Sequence, residues 1–442
     1  MTSKLPATPA EALQISVPPL RLVVRAVTGL ADRLGFWRAP LAGAAAASDE
    51  MTTLDTLYWV QKSRAPVTQP GADVPDMRAD PVALPEGFVP DTRVTLAAAG
   101  DILRSRGIDG SKDVVFARIA DVLFDADLSI ANFESPITTQ PLVEEVIGDK
   151  GPPLECCDRA QFDILKGHGG RRFDVLNTAN NHRFDMGLEG IETTSRVLAE
   201  EGILEIGTNA SPDQQGCGWV IERDGLRIGL VSDTFGLNGH KLPADEGWRI
   251  NVSALSPKRG DPDLSSLKRQ IDDCRAKGCD FILATVHWGW EFEMFPRAGQ
   301  VAAARELAEY GADSIVSHHP HVIQPVETYR TARDPDRVAV IAYSLGSLTW
   351  GFTAPHIVLS TVLNMTLTKG RVGGETRTYL ERLSVTPVFR THVEEDGVAL
   401  TRIEKLADHA DAADSPLDQD HVAQVAAHAD RVLGPGWRTQ GG

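Results

Sequence analysis

Short apolar runs that each end in a polar cluster recur along this chain, and this pattern constrains the fold more than any other feature. The runs are 94–99, 128–131, 173–179, 281–286 and 314–316, and the clusters after them contain Asp101, Asn132, Asn180, His287 and His318. Each run has the length of a buried strand, and helical spacing of apolar residues separates them at 187–201, 264–277 and 300–310. Alternating strands and helices predict an α/β sheet whose strand ends, and therefore whose polar clusters, meet at one edge.

Later apolar runs predict a second layer. After the run 341–345, residues 357–367 and 383–389 have strand-like patterns and are expected to form a second sheet packed against the first. The predicted fold class is α/β, with two stacked β-sheets flanked by helices.

Composition divides the chain into four segments. Residues 1–65 form an amphipathic helical extension, and residues 66–92, rich in Pro, Asp, Gly and Ala, form a linker or surface strap. The compact main domain, predicted below to be the catalytic domain, is expected to follow at 93–390. An acidic, Ala-rich tail with an amphipathic helix follows at 391–442.

The N-terminal extension contains apolar residues at helical spacing, with arginines beside them. Because charged residues interrupt this stretch, we expect neither a membrane span nor a secretion signal in it. Three interpretations stay open: a helix packed on the main domain, docking on a membrane surface, or capture of a peptide.

Charge and cysteine content limit the partners and the compartment. A net charge of -17 argues against nucleic acid, because binding phosphate backbones requires clustered Lys and Arg. The five cysteines form no CxxC pair and fit reduced residues of a cytoplasmic protein. Adjacent Cys156 and Cys157 are the one candidate redox or metal pair, although vicinal cysteines do not bridge easily.

The polar clusters together offer the ligands of a divalent cation. Hard cations prefer carboxylate, amide and water oxygens, and borderline ones add imidazole. A single histidine after a strand is more often structural than a ligand, but the joint occurrence of these clusters indicates a metal or acid–base site. The candidates are Asp101, Glu134, Asn181, His182, Asp185, His287, Glu291, His319 and His321.

Two spacings predict particular geometry. Asp185 follows His182 by three residues, so its carboxylate either orients the imidazole on a first helical turn or caps the following helix. The spacing of His319 and His321 puts both imidazoles on one side of an extended segment, which leaves His318 pointing away.

In chain order, these clusters resemble the signature of the CapA family, which carries the name of poly-γ-glutamate capsule production. The resemblance spans about residues 93 to 390. It implies that this span is a catalytic domain whose fold is a branch of the calcineurin-like metallophosphoesterases. The matching motifs are Gly100-Asp101-Ile102, Ala131-Asn132-Phe133-Glu134, Ala179-Asn180-Asn181-His182, His287-Trp288-Gly289 with Glu291, Gly311-Ala312-Asp313, His318-His319-Pro320-His321 with Gln324, and Tyr343-Ser344-Leu345-Gly346.

The resemblance also implies roles for single residues. His182 stands where this fold has its catalytic histidine. Leu103 replaces the usual histidine two residues after the first aspartate, which favours a single ion over a two-metal site, and Ser347 replaces a usual asparagine. The implied ligands of a Ca, Mn, Mg or Zn ion are Asp101, Glu134, Asn181, His287, His319 and His321.

The expected activity follows from a narrower resemblance. Family members without a membrane anchor are similar to an enzyme of lasso-peptide pathways that epimerises the C-terminal residue of a ribosomal precursor peptide. This resemblance implies His182 with Asp185, and His319 or His321 facing Asp101, as two catalytic pairs acting on a peptide substrate. The alternatives are hydrolysis or ligation of a γ-glutamyl peptide, phosphoester hydrolysis, and a non-catalytic binding protein.

Overall fold

A computed structural model of the chain shows that the apolar runs are strands of two β-sheets. The structure describes residues 5–15, 17–105, 107–143, 154–395, 398–412 and 414–439. The strands are β1 (Val89–Ile102), β2 (Leu128–Phe133), β3 (Gly167–His168), β4 (Arg171–Arg172), β5 (Val175–Asn177), β6 (Leu204–Ile206), β7 (Trp219–Arg223), β8 (Leu226–Thr234), β9 (Phe281–His287), β10 (Ser314–His318), β11 (Val326–Arg330), β12 (Val338–Ala342), β13 (Ser347–Thr349), β14 (Leu359–Val372), β15 (Glu375–Glu395) and β16 (Val398–Lys405).

Helices fill most of the connections between these strands. They are α1 (Pro9–Ala12), α2 (Pro18–Arg33), α3 (Thr53–Arg64), α4 (Ala120–Phe124), α5 (Arg159–Leu165), α6 (Gly187–Glu201), α7 (Ser265–Ala276), α8 (Ala298–Tyr310), α9 (Pro355–Val358), α10 (Ala407–Ala410) and α11 (Gln419–Leu433). Short 3-10 turns lie at Ser48–Glu50, Pro212–Gln214 and Pro435–Thr439.

The two large sheets have different strand orders. The first runs β16-β15-β14-β1-β2-β5-β6, with β13 also paired to β1, and the second runs β11-β12-β10-β9-β8-β7. In the first sheet β1, β2, β5 and β6 are parallel, and in the second β8, β9, β10 and β12 are parallel. The parallel strands of each sheet end at a common edge.

Apolar side chains from both sheets form one core between them. Leu96 and Ile130 of the first sheet and Leu230, Leu283 and Val316 of the second belong to this buried cluster. Separate clusters cover the outer faces, with α4 and α5 on the first sheet and α7 and α8 on the second. Layers of helix, sheet, sheet and helix result, and the predicted α/β class with two stacked sheets is confirmed.

The assignment of the late strands to the sheets differs from the prediction. Residues 359–367 lie in β14 and residues 383–389 lie in β15, while 357 and 358 end α9. Both strands belong to the same sheet as β1, so their placement in a separate second sheet is wrong. β14 pairs antiparallel along β1, with Val94 opposite Leu367. The centre of the second sheet consists instead of β8, β9 and β10, which are buried and pair in parallel.

The segments outside the predicted catalytic domain contact it closely. α1, α2 and α3 belong to the N-terminal extension, and residues of 66–92 form bridges from Val67 to Glu293 and from Ala79 to Thr328. Residue 391, where the predicted tail starts, lies inside β15, and β16 follows in the same sheet before α11.

The core between the sheets makes a testable prediction about stability. Leu283 is fully buried there, so Leu283→Ala should lower the free energy of unfolding by about 2–5 kcal/mol through lost burial and a cavity. Leu54 is 52% exposed, and Leu54→Ala should cost less than about 0.5 kcal/mol. Thermal unfolding followed by circular dichroism compares the two variants, and equal losses would contradict the assigned core.

Candidate metal centre and active site

The strand ends of both sheets bring the predicted polar residues to one place. Asp101 lies near the end of β1, opposite Asn132 of β2. His287 ends β9, opposite His318 at the end of β10. All four side chains are buried, because the two sheets and the loops after their strands close over this edge.

Three of the predicted ligands form a tight group. Asp101, Glu134 and His321 each offer a ligand atom, and these atoms lie within 4.8 Å of one another. Both carboxylates are 0% exposed and His321 is 1% exposed. His321 Nδ1 lies 3.2 Å from Asp101 Oδ2, and its Nε2 lies 3.9 Å from Glu134 Oε2. Carboxylate and imidazole ligands at this spacing are suited to a divalent cation.

Asn132 holds the two carboxylates together, a role that the sequence analysis missed. Its amide nitrogen donates to Asp101 Oδ1 at 3.0 Å and to Glu134 Oε1 at 2.8 Å. Asn177 in turn donates to the Asn132 oxygen at 2.9 Å, which fixes the orientation of the amide. Asn132 lies two residues before Glu134, and side chains two residues apart in an extended segment point to the same face. This spacing is the feature of the sequence that could have predicted the contact.

His287 and Asn181 bind each other at the edge of this group. His287 Nε2 lies 2.8 Å from the side-chain oxygen of Asn181, so this nitrogen is the donor. His287 Nδ1 then faces Asn132 at 3.3 Å and Glu134 at 3.3 Å. Both residues therefore lie at the predicted site and are linked through the imidazole.

His318 does not point away from the site, so that prediction is wrong. Its Nδ1 lies 2.9 Å from Asp101 Oδ1. β10 continues through His318, and strand alternation turns this side chain towards β1. His318 therefore contacts one oxygen of the Asp101 carboxylate, and His321 lies near the other.

His319 and His321 leave the strand in a strained conformation. Their φ angles are 95° and 56°, in the left-handed region that residues with a side chain rarely adopt. The segment is thus not extended as predicted, yet both rings reach the site, with centroids 6.0 Å apart. Both ring nitrogens of His319 are buried without a hydrogen-bond partner among the described residues.

His182 and Asp185 form the predicted pair. His182 Nδ1 lies 2.7 Å from Asp185 Oδ2, and the same carboxylate oxygen accepts the backbone N–H of Glu155 at 2.7 Å. α6 begins at Gly187, and its N-terminus has no side-chain cap. Asp185 therefore orients the imidazole and does not cap the helix.

Burial dominates the electrostatics of the group. It raises the pKa of Glu134 well above the usual range, and the nearby Asp101 charge adds to this. It likewise lowers the pKa of His287 and His319 well below the usual range, so both rings are neutral at pH 7. For Asp101 the hydrogen bonds from His318 and His321 outweigh burial and hold its pKa low.

The residues present fit a divalent cation. Glu134 Oε2 is buried without a hydrogen-bond partner in the described part of the chain, as are both nitrogens of His319. Buried polar atoms are normally paired, and a cation bound to this group would pair Glu134 Oε2. Asp101, Glu134 and His321 would hold it. Leu103, in place of a histidine, is buried and offers no ligand atom.

A cavity of about 600 Å³ opens beside the group. Its polar wall contains Asn181, His182, Glu291, His319 and His321. Its apolar lining includes Leu103, Phe235 and Trp350 from the main domain and Leu13, Leu20, Val24, Trp59 and Val60 from the N-terminal extension.

Trp59 connects the N-terminal extension to the site. Its indole N–H donates to Glu291, whose other carboxylate oxygen lies 4.0 Å from His321 Nε2. α3 is held in place by Tyr58 and Lys62, which bind Glu293 at 2.9 Å and 3.5 Å. The sequence analysis missed this contact, because 232 positions separate Trp59 from Glu291.

These features define a buried cluster of carboxylates and histidines, able to hold a metal ion, at the edge of a two-sheet α/β fold. The family model of the bacterial capsule synthesis protein PGA_cap matches residues 95–350, more than half of the chain. The chain belongs to this family, whose fold is calcineurin-like, and the predicted resemblance to CapA proteins is confirmed.

Known relatives agree with this assignment. The PGA biosynthesis protein CapA of Bacillus subtilis is 27% identical over 265 residues, 58% of this chain and 63% of its own length. The capsule biosynthesis protein CapA of Bacillus anthracis is 27% identical over 263 residues, 58% and 59% of the two chains. The match therefore spans less than two thirds of these relatives.

A solved structure shows weaker similarity. A hypothetical protein from Thermus thermophilus aligns with 66% of this chain and 98% of its own, at a TM-score of 0.38 and 15% identity, a level that defines neither fold nor function. Within the described ranges, every helix is too short or too polar to cross a membrane.

The hydrogen bonds of Asn132 make a prediction about metal affinity. Asn132→Ala should weaken divalent-cation binding by about 10–100-fold, because the two carboxylates lose the donor that orients them. Titration calorimetry with Mn²⁺ measures this. Asn364→Ala is the matched control, because its amide donates to the Val122 carbonyl at 2.7 Å, far from the site. Unchanged affinity in a folded Asn132→Ala protein would contradict the arrangement.

Proposed function

We propose that this chain is a metal-dependent enzyme that epimerises a peptide at the Cα of its C-terminal residue. The observation that carries the proposal is the presence of two buried histidines, His182 and His319, in the wall of one cavity beside the metal-ligand group. Inversion at Cα requires two proton-transfer groups on opposite faces of the carbon. We place the reacting carbon between these two imidazoles.

The environment of each histidine suits a different protonation state. His182 is held by Asp185 at 2.7 Å, and a carboxylate partner stabilises the imidazolium form that donates a proton. Burial lowers the pKa of His319, so this ring is neutral at pH 7, and a neutral imidazole has one nitrogen lone pair to which a proton can bind. Phe235 lies against it, with ring centroids 4.4 Å apart, and fixes its plane.

The metal-ligand group serves the same chemistry. Asp101, Glu134 and His321 would hold a divalent cation, whose positive charge would stabilise the negative charge that develops on a substrate carboxylate. Asn132 and His318 orient the carboxylates, and Ser347 contacts His321 Nδ1 at 2.8 Å. Trp350 packs on the His321 ring, 4.4 Å between centroids, and excludes water from that side.

The alternative function is hydrolysis or ligation of a γ-glutamyl peptide. It is favoured by the names of the relatives, which concern poly-glutamate capsule production. The same cavity and ligand group would serve a hydrolytic reaction, which would need water at the reacting carbonyl in place of a proton donor behind Cα. A purely binding role is less consistent with two buried histidines in one pocket, one of them held by a carboxylate.

Deuterium incorporation separates these reactions. Peptides encoded beside the gene are incubated with the protein and Mn²⁺ in deuterated water and analysed by mass spectrometry. Epimerisation should add one deuterium at a single Cα, without cleavage and with inverted configuration. Fragments, or a ligated product without deuterium, would establish the alternative and exclude epimerisation.

Substitution of the two histidines makes the prediction specific. His182→Gln and His319→Gln should each slow epimerisation by about 10²–10⁴-fold, because each removes one proton-transfer group. His182→Gln lacks the proton donor and should still exchange the Cα proton without inverting the configuration. His319→Gln lacks the proton acceptor and should show neither exchange nor inversion. Exchange and inversion are measured separately by mass and by chiral analysis of the released residue. Equal residual exchange and inversion in both variants would contradict the two-histidine mechanism.

A further inference from the structure

Two of the five cysteines meet where α7 ends. Gly278 follows the helix with a φ of 71°, in the left-handed region that glycine readily adopts. The Cys279 N–H donates to the Cys274 carbonyl at 3.1 Å. The Gly278 N–H donates to the Arg275 carbonyl at 2.9 Å. These two bonds form a Schellman motif, in which the side chains at the positions of Cys274 and Cys279 frequently contact each other.

Two glycines leave room for the sulfur atoms of this pair. A Cβ atom at Gly229 of β8 would lie 2.8 Å from Cys274 Sγ and 3.1 Å from Cys279 Sγ. Both sulfurs therefore lie beside one point of the sheet. A Cβ atom at Gly218 would lie 2.2 Å from Cys274 Sγ. Glycine in or beside a strand often marks such a close approach, and a larger residue at either position would displace the thiols.

The two thiols differ in how readily they lose a proton. The hydrogen bond from Cys274 lowers the pKa of the Cys279 thiol, and the charges of Arg227 and Lys277 add to this against the effect of burial. The same hydrogen bond, together with burial, raises the pKa of Cys274. Cys279 is partly exposed and Cys274 is buried, so a dissolved reagent reaches Cys279 first.

The other three cysteines, which the structure also describes, have different surroundings. Cys156 and Cys157 are buried, and burial raises the pKa of both thiols. Cys217 is partly exposed, and its thiol donates to the Asp213 carbonyl at 3.5 Å. The sequence analysis considered only the adjacent Cys156 and Cys157 as a redox pair, because the turn after α7 that joins the other two thiols is a feature of the fold.

We propose that Cys274 and Cys279 form a thiol pair that a hydroperoxide oxidises to a disulfide. The pair lies before the first residue of β9, whereas His287 lies at its last. Seven residues of strand extend roughly 23 Å, so this modification site is separate from the metal-ligand group and does not depend on the proposed function. The disulfide would connect the end of α7 to the segment that leads into β9.

The reaction balances in two steps. The Cys279 thiolate attacks one oxygen of the hydroperoxide, the O–O bond breaks, and hydroxide or alkoxide leaves. Sulfur is thereby oxidised to a sulfenic acid and the peroxide is reduced. The Cys274 sulfur then bonds to the Cys279 sulfur, and the sulfenic hydroxyl group leaves with the Cys274 proton as water.

Peptide mapping of the full chain tests the pair. Treatment with one equivalent of hydrogen peroxide should remove two titratable thiols and lower the mass of the chain by two hydrogen atoms. Arg275 and Lys277 lie between the two cysteines, so trypsin places them on separate peptides that only a disulfide joins. These peptides should appear linked, and dithiothreitol should separate them. A link between Cys156 and Cys157, a link to Cys217, or unchanged thiols would overturn the proposal.

Serine variants test the order of the two steps. Cys274→Ser should form no disulfide and should accumulate the sulfenic acid of Cys279, which dimedone labels at least about tenfold faster than Cys217. Cys279→Ser should lose the disulfide and show no dimedone label at Cys274. Cys217→Ser is the matched control, because Cys217 is also partly exposed, and it should leave the yield of the disulfide unchanged. Equal labelling of Cys217 and Cys279 in the Cys274→Ser protein would contradict the proposed pair, and the mapping of the unaltered chain needs no variant to fold.

Discussion

The burial of two carboxylates side by side is the constraint on which the rest of the site depends. Asp101 and Glu134 are both fully buried, and removing charge from water costs several kcal/mol per ion unless it is compensated. Asn132 donates to both, and two histidines contact Asp101. These donors do not satisfy every oxygen, because Glu134 Oε2 has no hydrogen-bond partner in the described structure. A divalent cation would complete the compensation, and its binding would then contribute to the stability of the fold.

The stacked sheets make this burial possible. Parallel strands end at one edge in each sheet, and the closure of both edges over the site removes water from it. The backbone is strained where the ligands leave the second sheet, with positive φ at His319 and His321, each costing about 1–3 kcal/mol. Neighbouring packing must offset this cost. Trp350 packs against the His321 ring, and Phe235 packs against the His319 ring. Aromatic residues that follow the strands thus contribute packing around the two histidines.

The N-terminal extension lies outside the part of the chain that the family shares. The match to the family begins at residue 95, so α1, α2 and α3 all precede it. These helices give the cavity an apolar wall, and Trp59 hydrogen-bonds Glu291 beside His321. Residues from outside the family match therefore line the cavity beside the metal-ligand group. Substrate selectivity depends on the surfaces that surround the reacting group, so these helices would influence which substrate binds.

The sequence by itself determined the α/β class, the positions of the central strands and most members of the site, because buried strands leave short apolar runs and polar residues at their ends. His182 with Asp185 was also predictable, since three residues separate them. Only the tertiary structure decided that β14 and β15 join the sheet of β1, that His318 contacts Asp101, and that Trp59 reaches Glu291. These features depend on pairing between distant segments and on backbone angles after a strand, and neither leaves a periodic signal in the chain.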